Sequence, residues 1–539
     1  LPALRAVFHL AVLRLVSDFR ILETRKYSTL KDSMSYITLL TNLGFTADPF
    51  ATTNADDEEK LDNYFVPPPF FSAVLGDYRK PAASIVFAPR GGGKTALKRK
   101  IELDSQSGEY LCLTYNNFDL GSRSLAQIDS EFHQRNIVEL VITAVLISVN
   151  DRNIDKVSSN EKHLLYFFVK EYFSKIDKER LKANISSIKN ATDTLQDLWN
   201  RFTGPVGVLF NAVLARFGMS SVEVTKFEQS GGALGSYREQ LSTLIGIART
   251  LGYPSIYILI DKVDENHLTA SNYESAYAFI RPIIVDLALL ETEGLALKIF
   301  LWSLISDPFG PEGRPDRINN YTLQWQFTKI EEMLSERLKA FSNGKISALS
   351  QLVHGDYPLL SIDSIVAISS QGSPRNMVRI CKAILDQQSN IDINTDRIGV
   401  VAVNNGFAKI AQEIAMQDYP SNTLRDLPRV GRCDFTTAYV ANDIFKITQP
   451  AALGKIAGWE SSGAVAKVGE IKTDRKNRPS NLYALQSVLL AKHVYRTLSV
   501  SEFAAQKIRI CSGCNQPLVR DWDRQTEYRC EKCQTEHRT

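Results

Sequence analysis

With 539 residues the chain is too long for a single hydrophobic core, and several domains are expected. Its 44% hydrophobic and 23% charged residues are ordinary globular values and indicate neither wholesale disorder nor a membrane protein. The net charge is only +3, but 14 Lys/Arg stand against 7 Asp/Glu between Arg425 and Ile510, a local excess of the kind that attracts phosphate backbones or simply meets water.

Taken in chain order, residues 1–47 form an N-terminal helical segment of uncertain status. Leu1 to Val16 is apolar, yet Arg5, His9 and Arg14 interrupt it well short of the roughly 18 clean residues of a membrane span. It lacks an initiating Met, a basic n-region and a cleavage site, so a start inside a longer chain fits better than a signal peptide. Ala55 to Asp62 is acidic. The aromatic and proline-stiffened run Tyr64 to Phe71 that follows cannot be a helix interior, and reads either as a wall of an adenine pocket or as a clasp on the domain edge.

Residues 48–345 are expected to form an α/β core. Apolar runs of strand length occur at Ser84 to Ala88, Glu109 to Tyr115, Ser255 to Ile260 and Ala296 to Trp302, with helical sequence between them. Strands alternating with helices imply a parallel sheet covered on both faces. Residues 130–253 carry apolar positions at helical spacing and read as a large helical insertion. Val206 to Leu214 is its most apolar piece, too short to cross a bilayer.

The stretch Ala88-Pro89-Arg90-Gly91-Gly92-Gly93-Lys94-Thr95 has the spacing of a phosphate-binding loop, between an apolar strand and a helix, with Ala88 in place of the first glycine. Glycines let backbone N–H groups converge on phosphate oxygens, and the helix N-terminus faces the same anion. Lys94 would reach the β- and γ-phosphates of ATP and Thr95 would ligate Mg²⁺. Strand Ser255 to Ile260 then ends in Asp261, placed to hold the hydrated Mg²⁺; Asp264 or Glu265 could orient or deprotonate the attacking water. Ser303 follows the strand Ala296 to Trp302 as a candidate polar sensor. Arg314 or Arg317 could act in trans as an arginine finger, or be spare arginines of a surface loop.

The Asp261-Lys262-Val263-Asp264-Glu265 ending resembles the Walker B element of STAND and NACHT-like ATPases within the AAA+ class, although Lys262 stands where an acidic residue is usual. Gly372-Ser373-Pro374-Arg375 resembles the sensor of AAA+ lid domains, which implies that Arg375 reports the γ-phosphate and that residues 346–424 form a helical lid. The loop as a whole is similar to that of bacterial P-loop ATPases with a Phe-Ala-Pro-Arg-Gly-x-Gly-Lys-Thr sequence, some tied to genome-defence or mobile-element loci.

Residues 425–508 read as a winged-helix-like domain. Helices are expected at Phe435 to Ile447, Pro450 to Trp459 and Ser461 to Val468, then strands at Gly469 to Lys472 and Leu482 to Leu485. Lys472, Arg475, Lys476 and Arg478 would lie on the wing and touch nucleic-acid phosphates, DNA being favoured; a protein-binding or domain-locking use is the other reading. The order of core, lid and winged helix resembles the Orc/Cdc6 architecture.

Residues 509–539 contain Cys511, Cys514, Cys530 and Cys533 as two C-x-x-C pairs, the spacing of a structural zinc ribbon. His537 is expected to be exposed, with replacement of one cysteine as a ligand as the other reading. The other three cysteines lie singly, so this is no disulfide framework, and a reducing cytoplasm fits. The whole is consistent with an ATP-hydrolysing switch that loads on nucleic acid, with homo-oligomers admitted. The alternative is an ATP-holding scaffold that recruits a separate effector protein. No membrane partner is expected.

Overall fold

Ser-Ile-Val-Phe-Ala, Leu-Cys-Leu-Thr-Tyr and Ile-Tyr-Ile-Leu-Ile are short runs without polar alternation, so each must be covered on both faces. They form β1 (Ser84–Ala88), β2 (Leu111–Tyr115) and β3 (Ile256–Ile260), every residue of which is buried. With β4 (Leu295–Trp302) and β5 (Asn319–Thr322) they make a five-stranded parallel sheet in the order β2-β3-β4-β1-β5. The protein is described here from a computed structural model over residues 36–148, 154–173, 178–189, 235–471, 479–522, 527–530 and 532–538. It divides into two compact units, Asn54–Gln324 and the described part of Leu1–Thr53 with Trp325–Thr539.

The first unit is built on that sheet. Helix Lys94–Asp104 follows β1, and helices Ser130–Ser148, Ser159–Phe173, Lys178–Ser186 and Tyr237–Thr250 lie between β2 and β3. Ser130–Ser148 is buried along most of its length, and its Ile137, Val141 and Val145 enter the same core as β2 and β3. Val206 to Leu214 lies outside the described residues. Strand β5 was not legible in the sequence, because Asn-Asn-Tyr-Thr is polar and sits at the sheet edge. Phe70 of the proline-stiffened segment stacks on Tyr321 of β5 at 5.0 Å, the arrangement of a clasp on the domain edge.

In the second unit, Thr46 donates its N–H to the Phe341 carbonyl and Lys382 pairs with Asp48, so the segment before Thr53 is held against helices Phe327–Phe341 and Pro374–Ile391. Helix Val400–Asp418 crosses Pro374–Ile391 at Gly406, where a Cβ would come within 2.8 Å of the Ile384 backbone. A side chain there would push the two helices apart. Helix Ser421–Val430 follows.

Next come β6 (Asp434–Thr436), β7 (Val465–Ile471) and β8 (Ser480–Leu485), an antiparallel sheet in the order β6-β8-β7. The first expected helix is shortened by β6 and ends in a π-turn over Val440–Phe445. The helix expected at Ser461 to Val468 is a strand instead. Helix Gln449–Ser461 stops before Gly463, whose φ of 72° turns the chain, and Val465 onward pairs with β8. Cross-strand pairing decided that segment, a long-range effect that local spacing does not carry. Helices Val488–Val494 and Val500–Lys507 lead to two hairpins, β9 (Ile508–Ile510) with β10 (Pro517–Val519) and β11 (Glu527–Arg529) with β12 (Glu536–Arg538). No helix among the described residues is long and apolar enough to cross a membrane.

Candidate functional site

At the C-terminal end of β1 the backbone takes a conformation that side chains resist. Gly91 and Gly93 have φ of 73° and 97°. A Cβ on Gly92 would lie 2.9 Å from the Pro89 carbonyl oxygen. All three glycines are therefore required by the turn itself, which opens onto the N-terminus of helix Lys94–Asp104. Such a turn with the helix dipole behind it is an anion cradle. Lys94 Nζ donates to the carbonyls of Ala88 and Pro89 at 3.2 and 3.3 Å, so its ammonium lies along the loop.

Asp261 leaves the tip of β3 and is 1% exposed. Thr95 Oγ1 donates to its Oδ2 at 3.1 Å, which joins the two residues that the sequence assigns to Mg²⁺. Strand β4 lies between β3 and β1, pairing Ile299 with Ile260 and Trp302 with Ala88. Burial pushes the Asp261 carboxyl above its ordinary range, against the pull of Lys98, the Lys262 N–H, Lys94 and Thr95. A hydroxyl and a buried carboxylate beside a glycine cradle form a hard-oxygen set that fits Mg²⁺, which keeps most of its waters.

Beyond Asp261 the turn passes through Lys262 at φ 60° into the 3₁₀ turn Val263–Glu265. Asp264 is buried and Glu265 is exposed. Arg90 Nε and NH2 donate to Asp264 Oδ2 at 3.1 and 3.0 Å, and the guanidinium lies 4.4 Å from the Trp302 ring centroid. Ser303 begins a 3₁₀ turn directly after Trp302 and is half-buried. Arg314 pairs with Asp316 at 2.7 Å and Arg317 with Glu291, so both belong to surface ion pairs.

Three charged residues of this site escaped the sequence reading. Lys98, one turn past Lys94, is 2% exposed and places Nζ 2.8 Å from Asp56, 3.6 Å from Glu102 and 4.0 Å from Asp261. Glu102 also accepts from Thr114 of β2 at 2.5 Å. The available signal was the spacing of Lys94, Lys98 and Glu102, a polar stripe on a helix that should have buried an apolar one.

Arg375 belongs to the other unit, exposed in the first turn of helix Pro374–Ile391. Ser373 caps that helix by accepting from the Asn376 N–H at 3.3 Å, and Gly372 has φ 73°.

The four cysteines of the ribbon converge, with all Sγ atoms within 4.8 Å of one another. Cys511 and Cys533 are 3.5 Å apart, Cys514 and Cys530 3.6 Å. Tetrahedral Zn²⁺ holds thiolates roughly 3.8 Å apart, so the set fits one ion. The two knuckles repeat one backbone pattern: Asn515 N donates to Cys511 O and Gln534 N to Cys530 O, each at 2.8 Å, with φ of 57° and 61°. A Cβ on Gly513 would lie 2.1 Å from Thr535 Oγ1, so glycine is needed where the knuckles meet. His537 is half-buried rather than exposed, with Nε2 3.2 Å from Cys511 Sγ, placed to hydrogen-bond a thiolate. Lys472, Arg475, Lys476 and Arg478 lie outside the described residues.

No family model matches the chain, and no curated protein does. Among solved structures, that of the Aeropyrum pernix ORC2 protein in ADPNP-ADP complexes aligns with a TM-score of 0.35 and 10% identity, covering 83% of this chain and 97% of that one. The ADP form of the same protein aligns with a TM-score of 0.31 and 9% identity, over the same shares of the two chains. At these scores the likeness establishes neither fold nor function.

Proposed function

We propose that the chain binds Mg²⁺-ATP at the glycine loop and hydrolyses it as a switch that acts on nucleic acid, DNA being favoured. The observation that carries this reading is the Thr95–Asp261 hydrogen bond of 3.1 Å beside an anion cradle at the C-terminal edge of a parallel sheet. In this reading Lys94 turns from the loop carbonyls to the β- and γ-phosphates, and Thr95 and Asp261 hold the metal. Mg²⁺, when bound, supplies charge neutralisation at the phosphate oxygens. Glu265 or Asp264 positions the attacking water, Ser303 serves as a polar sensor at the neighbouring strand tip, and Arg375 reports the γ-phosphate. The basic excess in the sequence between Arg425 and Ile510 supports a phosphate-backbone partner. The Cys₄ ribbon is a closed structural zinc site in this reading, with no open position for hydrolysis.

One observation favours the scaffold alternative. Asp264, a candidate for activating water, is already paired with Arg90, and Lys262 occupies the position beside Asp261. That arrangement suits nucleotide holding without turnover, with a separate effector protein recruited through the helical insertion and the ribbon. Phosphate release measured with and without DNA separates the two. Release that rises with DNA supports the switch, whereas ATP binding with no release in either condition supports the scaffold.

A further inference from the structure

Asp261 has two needs that conflict. Buried as it is, it stays ionised only if a positive charge is near, yet an ammonium bonded to it would occupy the side on which Mg²⁺ must sit. Lys98 is that positive charge, and its Nζ stops 4.0 Å short of Asp261 Oδ2, beyond hydrogen-bond reach. What holds it off is visible: Asp56 Oδ1 takes the ammonium at 2.8 Å. The other oxygen of Asp56 takes Lys262 Nζ, also at 2.8 Å, so one carboxylate restrains both lysines. Burial raises the Asp56 carboxyl, but Lys98 and Lys262 outweigh it and hold the group below its ordinary range.

We propose that Asp56 is a positioning residue for the metal: by holding Lys98 and Lys262, it keeps the Asp261 carboxylate open to Mg²⁺. The inference rests on the nucleotide reading above. Glu102, at 3.6 Å from Lys98, is a weaker competitor because Arg99 at 3.1 Å and Thr114 at 2.5 Å already engage it. Without the Asp56 charge, Lys98 is left with Glu102 at 3.6 Å and Asp261 at 4.0 Å, and a lysine that turns to Asp261 competes there with the metal.

The test is calorimetric titration of ATP over a range of Mg²⁺ concentrations on the full chain, with a thermal melt of each variant as a control. Asp56→Asn is expected to raise the Mg²⁺ midpoint about tenfold, a modest share of what a charge contact of this length can supply. ATP affinity at saturating Mg²⁺ should stay within about twofold of wild type, because the lysines then yield to the metal. Asp56→Glu keeps the charge and should restore most of the midpoint. A merely structural role would lower the melting temperature without moving the midpoint, and that result overturns the inference. Should Asp56→Asn not fold, Lys262→Gln carries the test. It leaves both Asp56 oxygens to Lys98, so the midpoint must not rise, and a rise overturns the inference equally. A wild-type chain that binds no ATP with or without Mg²⁺ overturns the nucleotide reading and this inference together. Wild-type binding with an unshifted Asp56→Asn midpoint overturns this inference alone.

Discussion

The glycine-loop site and the four-cysteine site solve opposite problems. Residues 56, 88–102, 261–264 and 302–303 are far apart in the chain, and a sheet whose strands β1 to β4 are almost wholly buried brings them together. The cysteines come from two local knuckles, and the core beneath them is Cys511, Leu518, Trp522 and Cys530, half of which are candidate metal ligands. The first site is therefore pre-formed by packing, while the second lacks enough apolar burial to stand without its ion. The difference teaches where each site should fail: the first by losing a function while the fold survives, the second by losing its fold.

The largest expected effect is at the ribbon. Cys511→Ser, or chelation of the metal, should remove most of the roughly 10 kcal/mol or more that a structural Zn²⁺ supplies to a small module. Limited proteolysis should then open the chain within residues 509–539, with about one zinc per chain lost by metal analysis. ATP affinity should be unchanged; a parallel loss of ATP binding would break the contrast between the two sites.

Asp521 sharpens it. This residue is 1% exposed, pairs with Lys507 at 2.7 Å, accepts from Tyr495 and the Cys433 N–H, and its own N–H donates to Asp434. It fastens the base of the ribbon to β6 and to helix Val500–Lys507. Asp521→Asn removes the carboxylate charge that pairs with buried Lys507 and should cost about 3 kcal/mol in chemical denaturation of the zinc-loaded chain. A cost below about 1 kcal/mol would mean that the metal alone holds the ribbon in place.

Lys94→Ala should weaken ATP binding by about 2 kcal/mol or more, roughly 30-fold, because it deletes charge-assisted bonds to phosphate. The melting temperature should barely move, since the glycine turn and the helix behind it are intact. Equal ATP affinity in calorimetry would mean that the loop holds some other anion. The smallest effect is expected at the wing. Changing Arg475, Lys476 and Arg478 to Ala should lower the salt-dependence slope of DNA binding by up to about 2.7 and weaken all sequences alike. An unchanged slope points to the scaffold reading.

The elements that were legible in the sequence are those whose chemistry is written within a few residues. The glycine loop between a strand and a helix, the carboxylate ending β3, the Ser373-Pro374 cap and the two C-x-x-C pairs each declare themselves by local spacing, because turn sterics and ligand geometry act over less than ten residues. The sequence by itself determined these, together with the parallel α/β class of the core. Only the tertiary structure decided that Val465 begins a strand, that a polar Asn-Asn-Tyr-Thr closes the sheet, and that Asp521 anchors the ribbon. It also decided the charge pairing around Asp261. Asp56 lies 42 residues from Lys98 and 206 from Lys262, and Arg90 lies 174 from Asp264. Such pairs leave no periodicity to read. They form because burial makes an unpaired charge costly, and which partner is within reach is settled only when the sheet and its helices have packed.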